Sequence, residues 1–400
     1  MIRLSSRIQK IKPSATLTIT AKAAELRAAG RSIISLSVGE PDFDTPKVAC
    51  DAAIEAIRQG FTRYTAVPGI TELRRAIADK FRRDNHLDYA PEDILVSAGG
   101  KQCIYNLLQA MLDADDEVII PAPYWVSYPD MVLLADGVPV IVDTDASSSF
   151  KLTADALAAA ITPKTRLLII NSPSNPTGMA YSAEELKALG EVVRQHPELA
   201  VATDDMYEKI LFDGKPFATF AEVNPDLKER TITLNGVSKA YCMTGWRIGY
   251  CAGPRHLISA MAKVQSQSTS NPNSIAQKAA LAALNGPTDD LERMVRTYEQ
   301  RRSWLVERLN AIPGMSCLSP DGAFYVFPSI SGWLGKHTAA GVRLDDDLAA
   351  CAWLLEDAGI AAVPGSEFGA PGHMRISYAV SQDTLAEAVD RIAKAAASLS

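Results

Sequence analysis

Between Ile94 and Lys239 the chain repeats one pattern: a short, almost wholly apolar run closes on polar residues or glycines, and in most cases a helical stretch follows. ILVS runs into AGGK, EVII into PAPYW, RLLII into NSPSNPTG, LAVAT into DDMYE, and TITL into NGVSK. Runs that are apolar throughout belong to strands covered on both faces. Strands of that kind alternating with helices form a mostly parallel sheet. Ligands of such sheets collect outside the carboxyl ends of the strands. The pattern predicts an α/β fold and also where its site lies, because the polar clusters are expected to meet along one edge.

Helical spacing predicts further helices over residues 15–30, 46–59 and 70–85, and Ser182 with Glu185 reads as a capping box. After about residue 284 the texture changes. A long, charge-rich helix from Asp289 to Leu309 precedes strand-like SPDGAFYVFP, GIAAVPGSEFG and HMRISYA, and residues 382–397 read as a terminal helix. The expected organisation is a large domain over 40–288 and a smaller α+β domain over 289–400. An N-terminal segment, 1–39, is expected to pack with the smaller one. The glycine-rich, charged stretch from Ile330 to Asp347 reads as a mobile part of the small domain, able to reshape a substrate entrance.

Composition narrows the function. Forty basic residues against 47 acidic ones leave a net charge of −7, which disfavours nucleic acid or an anionic membrane as partner. The six cysteines form no CxxC pair or disulfide-like framework, and the five histidines show no metal-binding spacing, so no metal site is expected. No apolar run approaches the roughly 18 residues of a membrane span. These features together predict a cytoplasmic protein.

The chemistry lies in the polar tips. Lys239 follows an apolar run, and Arg247 comes eight residues later between Gly245 and Gly249. A lysine amine can form a Schiff base with a carbonyl, and an arginine fork beside it, with Ser238, can bind phosphate. Gly99, Gly100 and Lys101 open a helix whose first N–H groups suit a phosphate, although glycine there also serves the turn alone. Asn175 is a ligand donor or a turn cap. Asp204, with Tyr207 three residues on, is a helix cap or a buried carboxylate that keeps a ring nitrogen protonated. Arg375, in the apolar run MRISYA, either pairs with an internal carboxylate or binds a ligand's.

Taken together, GEPDFDTP, GGKQ, PYWVSYP, NSPSNPTG, DDMYE, SKAYCMTGWRIGY, GAFYVF and VPGSEFG carry a resemblance over nearly the full length. The chain resembles the fold-type I pyridoxal-phosphate aminotransferases, and within them the bacterial aspartate aminotransferases of subgroup Ib. The resemblance implies a mostly parallel seven-stranded sheet flanked by helices, pyridoxal 5′-phosphate as cofactor, and transamination between aspartate and 2-oxoglutarate. It implies that Lys239 forms the Schiff base and moves the Cα proton, and that Asp204 pairs with the ring nitrogen. Tyr207 and Asn175 would bond the ring oxygen, and Trp125 would stack on the ring. Ser238, Arg247, Gly100 and Lys101 would hold the phosphate. Arg375 would clamp the substrate α-carboxylate, with Gly39, Trp125 and Asn175 lining the same pocket.

Tyr64 would reach the phosphate of a neighbouring subunit, which implies a homodimer. Lys101, with the Ser14-Ala15-Thr16 stretch, would meet the distal carboxylate. The same motifs serve relatives acting on prephenate or aromatic amino acids, and other reactions on this scaffold share Lys239, Asp204 and Arg247. A regulatory, non-enzymatic relative is disfavoured because both the lysine and the arginine clamp are present.

Overall fold

The computed structural model describes the backbone of residues 2–11 and 15–400 and the side chains of 2–11 and 18–400, so the side-chain role expected of Ser14-Ala15-Thr16 lies outside the described residues. The first strand, β1 (Ile34–Ser35), precedes the main sheet. That sheet holds β2 (Ile94–Ser97), β3 (Glu117–Ala122), β4 (Val138–Asp143), β5 (Thr165–Asn171), β6 (Ala200–Asp204), β7 (Thr231–Gly236) and β8 (Gly249–Ala252). Their order is β2-β8-β7-β6-β5-β3-β4, and only β8 runs antiparallel to its neighbours. Every residue of β2, β7 and β8 is buried, which is why these segments read as continuous apolar runs rather than alternating ones.

β8 is the strand of the main sheet that the sequence reading passed over, as it did the helices Arg255–Ser266 and Ser274–Asn285. GYCA is four residues long and follows the loop of Lys239 and Arg247 without any turn signal of its own. The parallel strands put their carboxyl ends on one edge. Pairing places Asn171 beside Asp204, and Asp204 beside Leu234 of β7. Helices start or end cleanly against this sheet. Ser182 accepts from the Glu185 N–H while the Glu185 carboxylate accepts from Ser182, a reciprocal cap of the helix Ala183–Arg194.

A second, smaller sheet comes from the C-terminal part: β9 (Tyr325–Val326), β11 (Val363–Pro364) and β12 (Met374–Ser377), with β12 central and antiparallel to both. Between them β10 (Ile360–Ala361) pairs in parallel with β1. The helix Asp289–Asn310 buries Met294, Tyr298, Leu305 and Leu309, one stripe at helical spacing. The stripe packs into the core of Trp333, Ile376 and Leu385. Tyr207, Ile210 and Phe212, from the turn after β6, join that same core, so one end of the main sheet is braced by the smaller unit. In the stretch 330–347, Trp333 is fully buried and its indole donates to the Pro313 carbonyl at 2.9 Å. Among the described residues, no helix is long and apolar enough to cross a membrane.

Candidate active site

The ends of β2, β3, β5, β6 and β7 surround a cavity of about 350 Å³. Gly39, Gly100, Lys101, Trp125, Asn175, Asp204, Tyr207, Ser238, Lys239, Arg247 and Arg375 all line it. Tyr64, which the sequence reading gave to a neighbouring subunit's site, stands apart. It is 89% exposed, beside Thr269, Ser270 and Asn271. None of residues 330–347 lines the cavity.

Lys239 sits three residues past the end of β7, and its Nζ donates to the Gly39 carbonyl at 2.6 Å. Burial, then the positive charge of Arg375, lowers its pKa to about 8. An amine with that pKa spends part of its time as the neutral nucleophile near neutral pH. A side chain at Gly39 would displace the Tyr325 hydroxyl, which lies 2.3 Å from where a Cβ would stand. That hydroxyl in turn shares a 2.8 Å hydrogen bond with the hydroxyl of Tyr207.

Asp204 closes β6 and is buried. Burial pushes its pKa up, while hydrogen bonds from Tyr128 and the Met206 N–H and the charge of Lys239 pull it back. Tyr128 donates to Oδ2 at 2.7 Å. Asn171 fastens two tips together: its amide donates to the Asp204 carbonyl at 2.8 Å, and its Oδ1 accepts from the Asn175 N–H at 2.8 Å. Asn175 is therefore the residue whose backbone is capped. Its side chain turns instead to Arg375, accepting from Nη1 at 2.9 Å.

Arg375 lies on β12 and is buried to 3% exposure. Its guanidinium stands 4.7 Å from the Tyr325 ring centroid and 5.1 Å from that of Phe368, and it also donates to the Ser37 carbonyl. Its Nε has no hydrogen-bond partner, and among the described residues no carboxylate pairs with it. That removes the reading of Arg375 as a structural ion pair. A buried cation with only neutral partners is costly unless an anion completes it.

Arg247 holds a left-handed backbone, φ +58°, and donates to the Thr244 and Ala98 carbonyls at 2.9 and 3.2 Å. Gly249 lets this strand approach the start of the helix Gly100–Met111; a Cβ there would come within 2.2 Å of the Gly100 nitrogen. The result is a small cradle of helix N–H groups beside a guanidinium. On the same helix start, the Lys101 Nζ stands 4.9 Å from the Trp125 ring centroid.

Sequence reasoning missed Tyr128, Tyr325 and Asn171. Tyr325 lies within the matched GAFYVF, and Asn171 opens NSPSNPTG, yet neither was given a task. Tyr128 is three residues past Trp125, one turn along the chain, and the two rings meet edge to face at 5.3 Å.

The family described as aminotransferase class I and II matches residues 31–392. An aspartate/prephenate aminotransferase of Nitrosomonas europaea is 56% identical over 393 residues, which cover 98% of this chain and 99% of that protein. The crystal structure of the aspartate aminotransferase from Rhizobium meliloti superposes with a TM-score of 0.97 at 52% identity, covering 100% of both chains. The aspartate aminotransferase from Thermus thermophilus with maleate gives 0.92 at 45% identity, covering 99% of this chain and 100% of that one.

Proposed function

The chain belongs to the class I and II aminotransferases, and from that premise we propose that it moves the amino group between L-aspartate and 2-oxoglutarate, giving oxaloacetate and L-glutamate by a ping-pong mechanism. Its cofactor is pyridoxal 5′-phosphate. The residues present fit that group. The cavity gathers Lys101, Lys239, Arg247 and Arg375 around the carboxylate Asp204, an excess of positive charge suited to anions. The glycine-lined cradle at Gly100 would be filled by a side chain at Gly249.

When bound, pyridoxal 5′-phosphate supplies a carbonyl carbon that exchanges between amines and a ring that draws electrons from the substrate Cα. Arg247, Ser238 and the N–H groups at Gly100 and Lys101 would hold its phosphate, and Trp125 its ring face. Asp204 would keep a proton on the ring nitrogen. Tyr207 and the Asn175 amide would donate to the ring oxygen. Lys239 would hold the cofactor through its amine. The lowered pKa would suit the Lys239 amine to take the proton from the substrate Cα and to give it back. Arg375 fixes the α-carboxylate, and Lys101 meets the distal one.

The observation that carries this reading is Arg375: a buried guanidinium without a carboxylate partner among the described residues, in one cavity with a lysine of lowered pKa. The Thermus relative with maleate, a dicarboxylate, supports a two-carboxylate substrate. Prephenate, also a dicarboxylate, is the second reading, favoured by the name of the Nitrosomonas relative. We read the assembly as a homodimer in which the exposed Tyr64 serves the neighbouring site.

Lys239→Ala tests the assignment. Turnover should fall by at least about 10⁴-fold, and the absorbance of the lysine-bound cofactor should vanish while the phosphate contacts still retain cofactor. Turnover near that of the unaltered enzyme would overturn it. A panel of amino donors and oxo-acid acceptors, prephenate included, ranks the substrates.

A further inference from the structure

The carboxylate of Asp204 has a partner that the mechanism above leaves unused. Tyr128 is 2% exposed, and its hydroxyl donates to Oδ2 at 2.7 Å. Its ring packs in the core with Ile120 and Ile169 and meets the ring of Trp125 edge to face at 5.3 Å. The helix Ser127–Leu134 carries it, so the hydroxyl is held by packing on one side and by the carboxylate on the other. The contact at the second oxygen is weaker: the Met206 N–H reaches Oδ1 at 3.4 Å.

We infer that Tyr128 is the positioning residue of Asp204, whose hydroxyl orients the carboxylate and keeps it ionised where it faces the cofactor's ring nitrogen. This rests on Asp204 being the partner of that nitrogen. A carboxylate enclosed by apolar side chains tends to take up a proton, and a donor to its charged form opposes this. Burial does push Asp204 up, and the Tyr128 hydroxyl is the largest influence pulling it down. Tyr128 itself is pushed well above the ordinary tyrosine range by burial and by the Asp204 charge, so it remains a donor.

The other ionisable groups facing the pair are few. Lys239, from the loop after β7, favours the charged carboxylate. Asp205 and Tyr207 lie on the same turn; the Asp205 carboxylate is taken by the Thr219 hydroxyl at 2.6 Å, and the Tyr207 hydroxyl by Tyr325. None of these can replace the bond from Tyr128. Without it, Asp204 is more basic and draws the ring nitrogen's proton towards itself. A positive charge is then lost near the nitrogen that joins Lys239 to the cofactor, and protons leave that nitrogen at higher pH.

Tyr128→Phe in the holoenzyme removes the hydroxyl and keeps the ring. The absorbance of the lysine-bound cofactor, titrated with pH, should show its midpoint raised by about half to one unit. In the same variant kcat should fall roughly tenfold, with KM for aspartate changed less than about threefold. The melting temperature reports any purely structural loss. The midpoint decides: one that stays in place or moves down overturns the inference, whatever happens to melting. Asp204→Asn is titrated alongside. If it moves the midpoint and Tyr128→Phe does not, only the role of Tyr128 falls. If neither variant moves it, the assignment of Asp204 falls with it.

Discussion

Two pairs of arginines sit in this molecule under opposite terms. On the helix Asp289–Asn310, Arg301 donates to both oxygens of Asp42 at 2.9 Å, and Arg302 donates to both oxygens of Asp213 at 2.6 and 2.8 Å. In the cavity, Arg247 and Arg375 donate, among the described residues, only to neutral oxygens. Burial is similar for Arg302 and Arg375, 5% and 3% exposed. A protein that can pair one buried guanidinium bidentately has no physical obstacle to pairing another. The missing carboxylate at buried Arg375 is thus the mark of charge held ready for a ligand, with the paired Arg302 as the internal control; Arg247 is exposed, and water can solvate it without a partner.

The comparison is tested most severely at Arg375. Arg375→Met should lower kcat/KM for aspartate by about 10³-fold, the loss of two charge-assisted hydrogen bonds, read from steady-state kinetics. Folding stability should hold or rise, since an uncompensated buried charge is removed. A large loss of stability with little kinetic change would break the contrast. Arg247→Met is the next largest. Its effect should fall on cofactor retention, with the dissociation constant of pyridoxal 5′-phosphate raised about 10²-fold, measured by equilibrium dialysis.

A smaller effect follows from pH. The Lys239 pKa is lowered to about 8 from the ordinary lysine value of 10.5, first by burial and then by the charge of Arg375. The unfolded chain therefore binds more protons at this position between pH 8 and 10.5, and the stability contribution rises with pH in that window. The same amine must be neutral to condense with a carbonyl. The rate at which cofactor-free protein captures pyridoxal 5′-phosphate should rise about tenfold from pH 7 to 9, followed by absorbance. In Arg375→Met the midpoint should move up, because one repelling charge is gone. An unchanged midpoint would mean that the Arg375 charge is screened from Lys239.

These contrasts were unequally legible from sequence. The sheet could be read because its strands are buried on both faces, and Lys239, Asp204 and Asn175 because each closes such a run. The function of Arg375 could not be read this way: MRISYA admits a structural ion pair equally well, and only resemblance and then the absence of a carboxylate favoured a ligand. Tyr128 was invisible because its partner lies 76 residues away, and a tyrosine in an apolar helix face looks like core. The pairing of β1 with β10 was equally hidden, two residues against two with over 300 residues between them.

The smallest effect belongs to the paired arginines. Arg302→Met leaves Asp213 without its bidentate partner. Because the Asp213 side chain is about half exposed, 51%, water rescues much of the lost attraction. The cost should be about 1–2 kcal/mol of folding stability, seen as a lower denaturation midpoint. Among the described residues Arg302 reaches none that lines the cavity; its other contacts are the Pro320 carbonyl, Ser303 and the face of the Phe212 ring. Turnover and KM should therefore stay within about twofold of the unaltered enzyme. Yet the helix that carries Arg302 packs in the core that Tyr207 shares, so the junction is not mechanically remote. A tenfold fall in kcat with intact stability would show that the pair transmits strain to the turn of Asp204 and Tyr207, and the division between structural and ligand-binding arginines would then fail at its structural end.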